Sequence, residues 1–146
     1  MRNRDGHATR RIGSARRARQ RGASMIEFAM VAFLLVLVML GGIEVDRMIL
    51  VYTNLANAAA EGARYGALQS AEDVSGVQTT VKNYAVGLNT SDLTVTVTYS
   101  VGDNSQAAGS VGSKVNVNVR YPYVAFVSGL FPSLTLTAIS ESVILY

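Results

Sequence analysis

From Met25 to Ile43 the chain is apolar throughout except for Glu27, the single charge in those 19 residues. A helix of that length is about 28 Å long, close to the hydrocarbon thickness of a bilayer. Past Ile43 the continuous run becomes a periodic one. Val45, Met48, Tyr52, Leu55, Ala59, Gly62 and Gly66 recur at alternating spacings of three and four, which is one face of a helix. The stripe starts with large residues and ends with small ones, so its partner is expected to come closest near Gly66. Ser70 to Gly76 is polar and predicts a turn. Val77, Val81, Tyr84, Ala85 and Leu88 then return to helical spacing, predicting a short second helix ending near Gly87-Leu88-Asn89.

The second half of the chain changes period. Residues 93–99 alternate strictly and predict a strand, and residues 114–121 predict another that stops at Pro122. Between them, residues 102–113 are rich in Gly, Ser, Asn and Asp and predict a long loop. Residues 123–132 are aromatic and irregular, and residues 134–145 predict a third strand. The expected class is α+β: a long N-terminal helix, its first half transmembrane, packed on a small three-stranded antiparallel sheet, with a second short helix. The expected division is a leader at 1–22, a membrane half-helix at 23–43, its continuation at 44–69 and an α+β domain at 70–146.

Charge sharpens this division. The leader to Gly22 holds eight arginines and one acid, Asp5; the remainder has five basic residues and nine acids. The overall +3 therefore comes from the leader. Arginines crowd one flank of the apolar run, so its N-terminus is expected in the cytoplasm and everything after Ile43 outside, in the periplasm or beyond. No reading domain or aromatic interleaving accompanies the arginines, which argues against nucleic acid as a partner.

Candidate chemistry is sparse. The chain has no cysteine and one histidine, His7, in the leader. Thiolate catalysis, cysteine-ligated zinc and a histidine triad are thereby excluded from the remainder. Glu44 and Asp46 point about 200 degrees apart on a helix, so they do not form a catalytic carboxylate pair. Asp103-Asn104-Ser105 offers oxygen ligands without the calcium-loop pattern or its closing Glu. Asn89-Thr90-Ser91 matches a glycosylation acceptor, a tripeptide common by chance. No catalytic residue, metal or cofactor is expected, and the protein is read as a non-enzyme.

Glu27 stands at the mouth of the span. A carboxylate near an apolar core costs several kcal/mol unless it is paired, protonated or able to snorkel to the headgroups. An ordinary secretory signal would put a cut after the span, but Leu40-Gly-Gly-Ile-Glu-Val offers no A-x-A-like site. Arg16-Arg17 is a poor twin-arginine match.

Arg21-Gly22-Ala23-Ser24-Met25-Ile26-Glu27-Phe28, leading into the span, resembles the processing site of type IV prepilins. That resemblance implies cleavage between Gly22 and Ala23 by a prepilin peptidase. Glu27 becomes the fifth mature residue, able to pair with the new amine of Ala23 in the same or a neighbouring subunit. Together with Asn57-Ala-Ala-Ala-Glu61-Gly62-Ala63-Arg64-Tyr65-Gly66 and a sheet-forming tail, the chain resembles the TadE-like family of tight-adherence (Tad) pilus systems. The resemblance implies a pilin-like fold and a minor pilin or pseudopilin. Its implied role is in the biogenesis of thin adhesive Flp-type pili and in adhesion, from a bacterial inner membrane, with incorporation into the surface pilus as one implied outcome. The implied partners are other pilin or pseudopilin subunits, the prepilin peptidase, an inner-membrane assembly platform and the lipid bilayer. Phe28 stands where the major pilins of these systems commonly have tyrosine. The other expectation is an uncut, membrane-anchored scaffold of a secretion or assembly complex that never enters a filament.

Overall fold

The computed structural model describes residues 8–69, 72–101, 107–126, 129 and 133–145, with side chains from Gly22 onward. The leader's arginine side chains and the Asp103-Asn104-Ser105 cluster lie outside the described residues. The chain divides into two compact units, Met1–Ile43 and Glu44–Tyr146. Helix α1, Ala8–Leu68, runs through both.

Within the first unit, large apolar side chains point outward all round the helix: Phe28 is 75% exposed and Val38 72%. The segment has a mean hydropathy of 2.5 over its most apolar window, none of which is buried. A helix apolar on every side, with its backbone groups satisfied internally, is suited to hydrocarbon rather than water. Length and composition fit a single-pass membrane anchor. A Cβ placed on Gly41 or Gly42 meets nothing within 4 Å.

In the second unit α1 is followed by α2 (Val74–Tyr84), β1 (Thr94–Ser100), β2 (Lys114–Tyr123) and β3 (Leu134–Val143). The strands form an antiparallel sheet in sequence order. Alternation sends Val115, Val117 and Val119 to one face, paired across to Tyr99, Val97 and Val95. The three β2 valines are fully buried beneath Leu55, Ala58, Ala59 and Ala63 of α1 and Val77 and Val81 of α2. The other face carries Thr94, Thr96, Thr98, Thr135 and Thr137, all exposed. Lys114 and Glu141 pair across that face at 3.0 Å.

The tapered end of α1 is where the packing is closest. A Cβ on Gly62 would collide with Val81, and one on Gly66 would sit 3.0 Å from Val115 and 3.1 Å from Val77. Small residues let the two helices and the sheet share one core.

The structure moves several expected boundaries. Val45 and Tyr52, placed on the apolar stripe, are each 49% exposed. The buried seam instead begins at Glu44 and runs through the half-buried Met48 to Leu55, Ala59, Gly62 and Gly66. Part of the expected turn at 70–76 belongs to α2, which opens at Val74 because Asp73 caps it. That helix ends at Tyr84, before Leu88. Pro122 does not end β2: the strand continues to Tyr123, with Pro122 opposite Thr135. The last β1 partner on this side is Thr94, opposite Arg120, so β2 has one neighbour at Pro122 and the missing N–H is tolerated. The third strand stops at Val143.

Candidate functional site

Three groups of residues bear on function. The first is the N-terminal segment. Gly22 and Ala23 lie on α1 and are exposed, and a Cβ on Gly22 would meet nothing within 4 Å. Glu27 is exposed, beside an exposed Phe28, and among the described residues its carboxylate has no ion-pair partner. The span places this one carboxylate on an otherwise apolar surface.

The second group is the Glu61–Tyr65 run at the tapered end. Glu61 and Arg64, one helical turn apart, pair at 3.6 Å, with the Arg64 side chain 74% exposed. A pair so open to water contributes only a few tenths of a kcal/mol. Gly62, between them, is buried against α2. Tyr65 reaches across to the start of α2, where its hydroxyl donates to Asp73 Oδ2 at 3.1 Å. Asp73 Oδ1 accepts from the Gly76 N–H at 2.8 Å and from Ser75 Oγ at 2.9 Å. These donors, the Gly76 amide first and then Ser75 and Tyr65, hold the Asp73 carboxyl below its ordinary range. The same bond, with some desolvation, pushes the Tyr65 hydroxyl up. The run therefore does two jobs: Gly62 permits close packing, and Tyr65 ties α1 to the cap of α2.

The third group was not singled out from sequence. Glu44 is 7% exposed, and the hydroxyl of Tyr123 donates to its Oε1 at 2.5 Å. The N–H of Phe126 lies 3.2 Å from Oε2 and 3.3 Å from Oε1. Arg47, one turn along, stands 3.7 Å from Oε2. The Arg47 guanidinium lies 6.0 Å from the Tyr123 ring centroid and 5.9 Å from that of Phe126. Burial, then the bond to Glu44, raises the Tyr123 hydroxyl above its usual range. One signal did exist: Glu44 lies on the seam of Met48, Leu55 and Ala59, and Tyr123 continues the buried alternation of Val115, Val117 and Val119. A carboxylate in an apolar register, and a tyrosine that continues one, need each other.

Glu44 and Asp46 do not come together as a reactive pair: Glu44 is buried in this cluster and Asp46 is exposed. Among the described residues, no group of three His, Asp or Glu side chains is placed to hold a metal.

Fold and site define a class: a small α+β domain carried on one helix whose exposed, apolar half is long enough to span a membrane. A family model described as TadE-like protein matches residues 22–64, making the chain TadE-like over that segment. The family points to a Tad pilus-associated protein. The match starts at Gly22, takes in the span and Glu44, and ends at Arg64. Comparison with curated proteins and with solved structures returns no match.

Proposed function

We propose that this protein is a minor pilin or pseudopilin of a Tad-type pilus assembly system. A prepilin peptidase cuts it between Gly22 and Ala23. The observation that carries the reading is the extent of the family match: it opens on the glycine of the processing motif and closes on the Glu-Gly-Ala-Arg run. The apolar half of α1 holds the subunit in the bilayer until assembly. The amine freed on Ala23 lies about 6 Å along the helix from Glu27 and pairs with it, in the same subunit or a neighbour. The exposed apolar helix surface then exchanges lipid for neighbouring helices. Small residues such as Gly41 and Gly42 favour close helix contact in a membrane. The sheet domain contacts other pilus components.

The test is the N-terminal residue of the protein purified from membranes, read by intact mass. A chain beginning at Ala23 with the span retained supports the proposal. A chain beginning at Met1 overturns the processing step and favours an uncut membrane scaffold with an arginine-rich tail.

A further inference from the structure

Phe126 is 80% exposed and Val124 66%, while Ala125 between them is buried. Two large apolar side chains thus point into solvent from the segment just after β2, and Phe126 is held in place. The Phe126 N–H bonds the Glu44 carboxylate, and the Phe126 ring lies against Arg47. Glu44 follows Ile43, the last residue of the apolar span, directly in the chain. Arg47 is four residues beyond Ile43, about 6 Å along a helix. The polar layer on each side of a bilayer's hydrocarbon core is of the same size, about 5–8 Å. Glu44 and Arg47 thus lie within that distance of the span's end along the chain, and hydrogen bonds hold Tyr123 and Phe126 to Glu44. Tyrosine and tryptophan concentrate in that layer, phenylalanine buries its ring at the headgroup–acyl boundary in interfacial segments, and an arginine there meets lipid phosphates.

We propose that Phe126 and Arg47 form a second membrane contact, the ring seated at the acyl-chain boundary and the guanidinium turned to a lipid phosphate. This rests on reading α1 as a membrane anchor. The contact accounts for the buried carboxylate: Glu44 holds the Phe126 backbone and restrains Arg47.

The chain has no tryptophan, so a single substitution gives a site-specific fluorophore. The experiment compares Phe126→Trp, Phe33→Trp in the span and Ile139→Trp on the open sheet face. Each full-length variant is placed in nanodiscs of phosphatidylethanolamine and phosphatidylglycerol whose acyl chains are unbrominated, brominated near the headgroup (the quencher for Phe126→Trp and Ile139→Trp) or brominated near the chain end (the quencher for Phe33→Trp). Phe126 and Ile139 are both well exposed, so neither substitution disturbs the core. The expected result is blue-shifted emission and bromolipid quenching for Phe126→Trp, as for Phe33→Trp, and neither for Ile139→Trp. Adding Arg47→Gln to Phe126→Trp is expected to reduce the quenching. Quenching at Phe33→Trp but not at Phe126→Trp overturns this inference and leaves the anchor standing. A blue shift at Phe126→Trp without bromolipid quenching also overturns it, because protein then covers the ring. No quenching at Phe33→Trp overturns the anchor reading itself.

Discussion

The Tyr123 hydroxyl and the Glu44 carboxylate, 79 positions apart in sequence, meet at 2.5 Å in a buried contact. The bond joins the end of β2 to the turn of α1 that follows the apolar span. Tyr123→Phe removes one donor from a buried carboxylate that keeps the Phe126 N–H and Arg47. The expected loss of domain stability is about 1–3 kcal/mol. Glu44→Ala leaves the Tyr123 hydroxyl and the Phe126 N–H without their acceptor and is expected to cost at least as much. Urea denaturation of the detergent-solubilised full chain, followed by tyrosine near-UV circular dichroism, measures both. Unchanged midpoints would show that the contact contributes nothing to stability.

Gly62→Ala sets two effects against each other. In a free helix the change gains about 1 kcal/mol. Here the new methyl collides with Val81, and overpacking a tight core costs about 1–3 kcal/mol. The net expectation is destabilisation. Gly42→Ala, with nothing near its Cβ, is expected to leave the same denaturation midpoint where it was.

Alkaline pH should loosen the domain. The hydroxyls of Tyr65, Tyr99 and Tyr123 all sit above the ordinary tyrosine value of 10.0. A group whose pKa is raised by folding stabilises the fold fully below its unfolded pKa. That contribution is lost as pH rises through the folded value. Stability should therefore be flat towards pH 10 and fall above it. Spectrophotometric titration of tyrosinate absorbance should show part of the signal released only on unfolding.

Acid acts through Asp73. Its carboxyl is held below the ordinary 3.8, so its contribution is present above that value and disappears as pH falls through the lowered one. Asp73→Ala removes the N-cap of α2 and the acceptor of Tyr65 together. The variant is expected to be less stable than wild type at neutral pH. It should also lack the wild-type drop below about pH 4 that Asp73 contributes. Thermal melts across pH 2–7 test this; parallel curves for the two proteins would count against it.

Glu27→Ala leaves Gly22 and Ala23 in place and lightens the burden of a lone carboxylate on an apolar helix. Cleavage is expected to proceed, and incorporation to be impaired, because the proposed partner of the Ala23 amine is gone. Immunoblots of sheared surface filaments and of membranes distinguish the two steps. Normal filament levels from the variant would remove Glu27 from assembly.

Periodicity made much of this protein legible. An apolar run of spanning length broken only by Glu27, a stripe tapering from Leu55 to Gly66 and three alternating segments are one-dimensional signals. Each reflects a local rule: helix pitch, strand pleat or hydrocarbon thickness. The α+β class and the close approach at Gly62 and Gly66 follow from them. The resemblance rests instead on particular residues, Gly22, Glu27 and the Glu61-Gly62-Ala63-Arg64 run, which the family match covers. What sequence spacing could not supply was pairing across the chain. Val45 and Glu44 are adjacent, and apolarity favours Val45 as the buried one. The reverse holds because Tyr123 and the Phe126 amide arrive from 79 and 82 positions away to satisfy the carboxylate. Pro122 likewise reads as a stop until the sheet shows β1 ending opposite Arg120. Local rules fix which residues are helix, strand or span. Which polar group can be buried is decided only when distant donors are brought within hydrogen-bond reach.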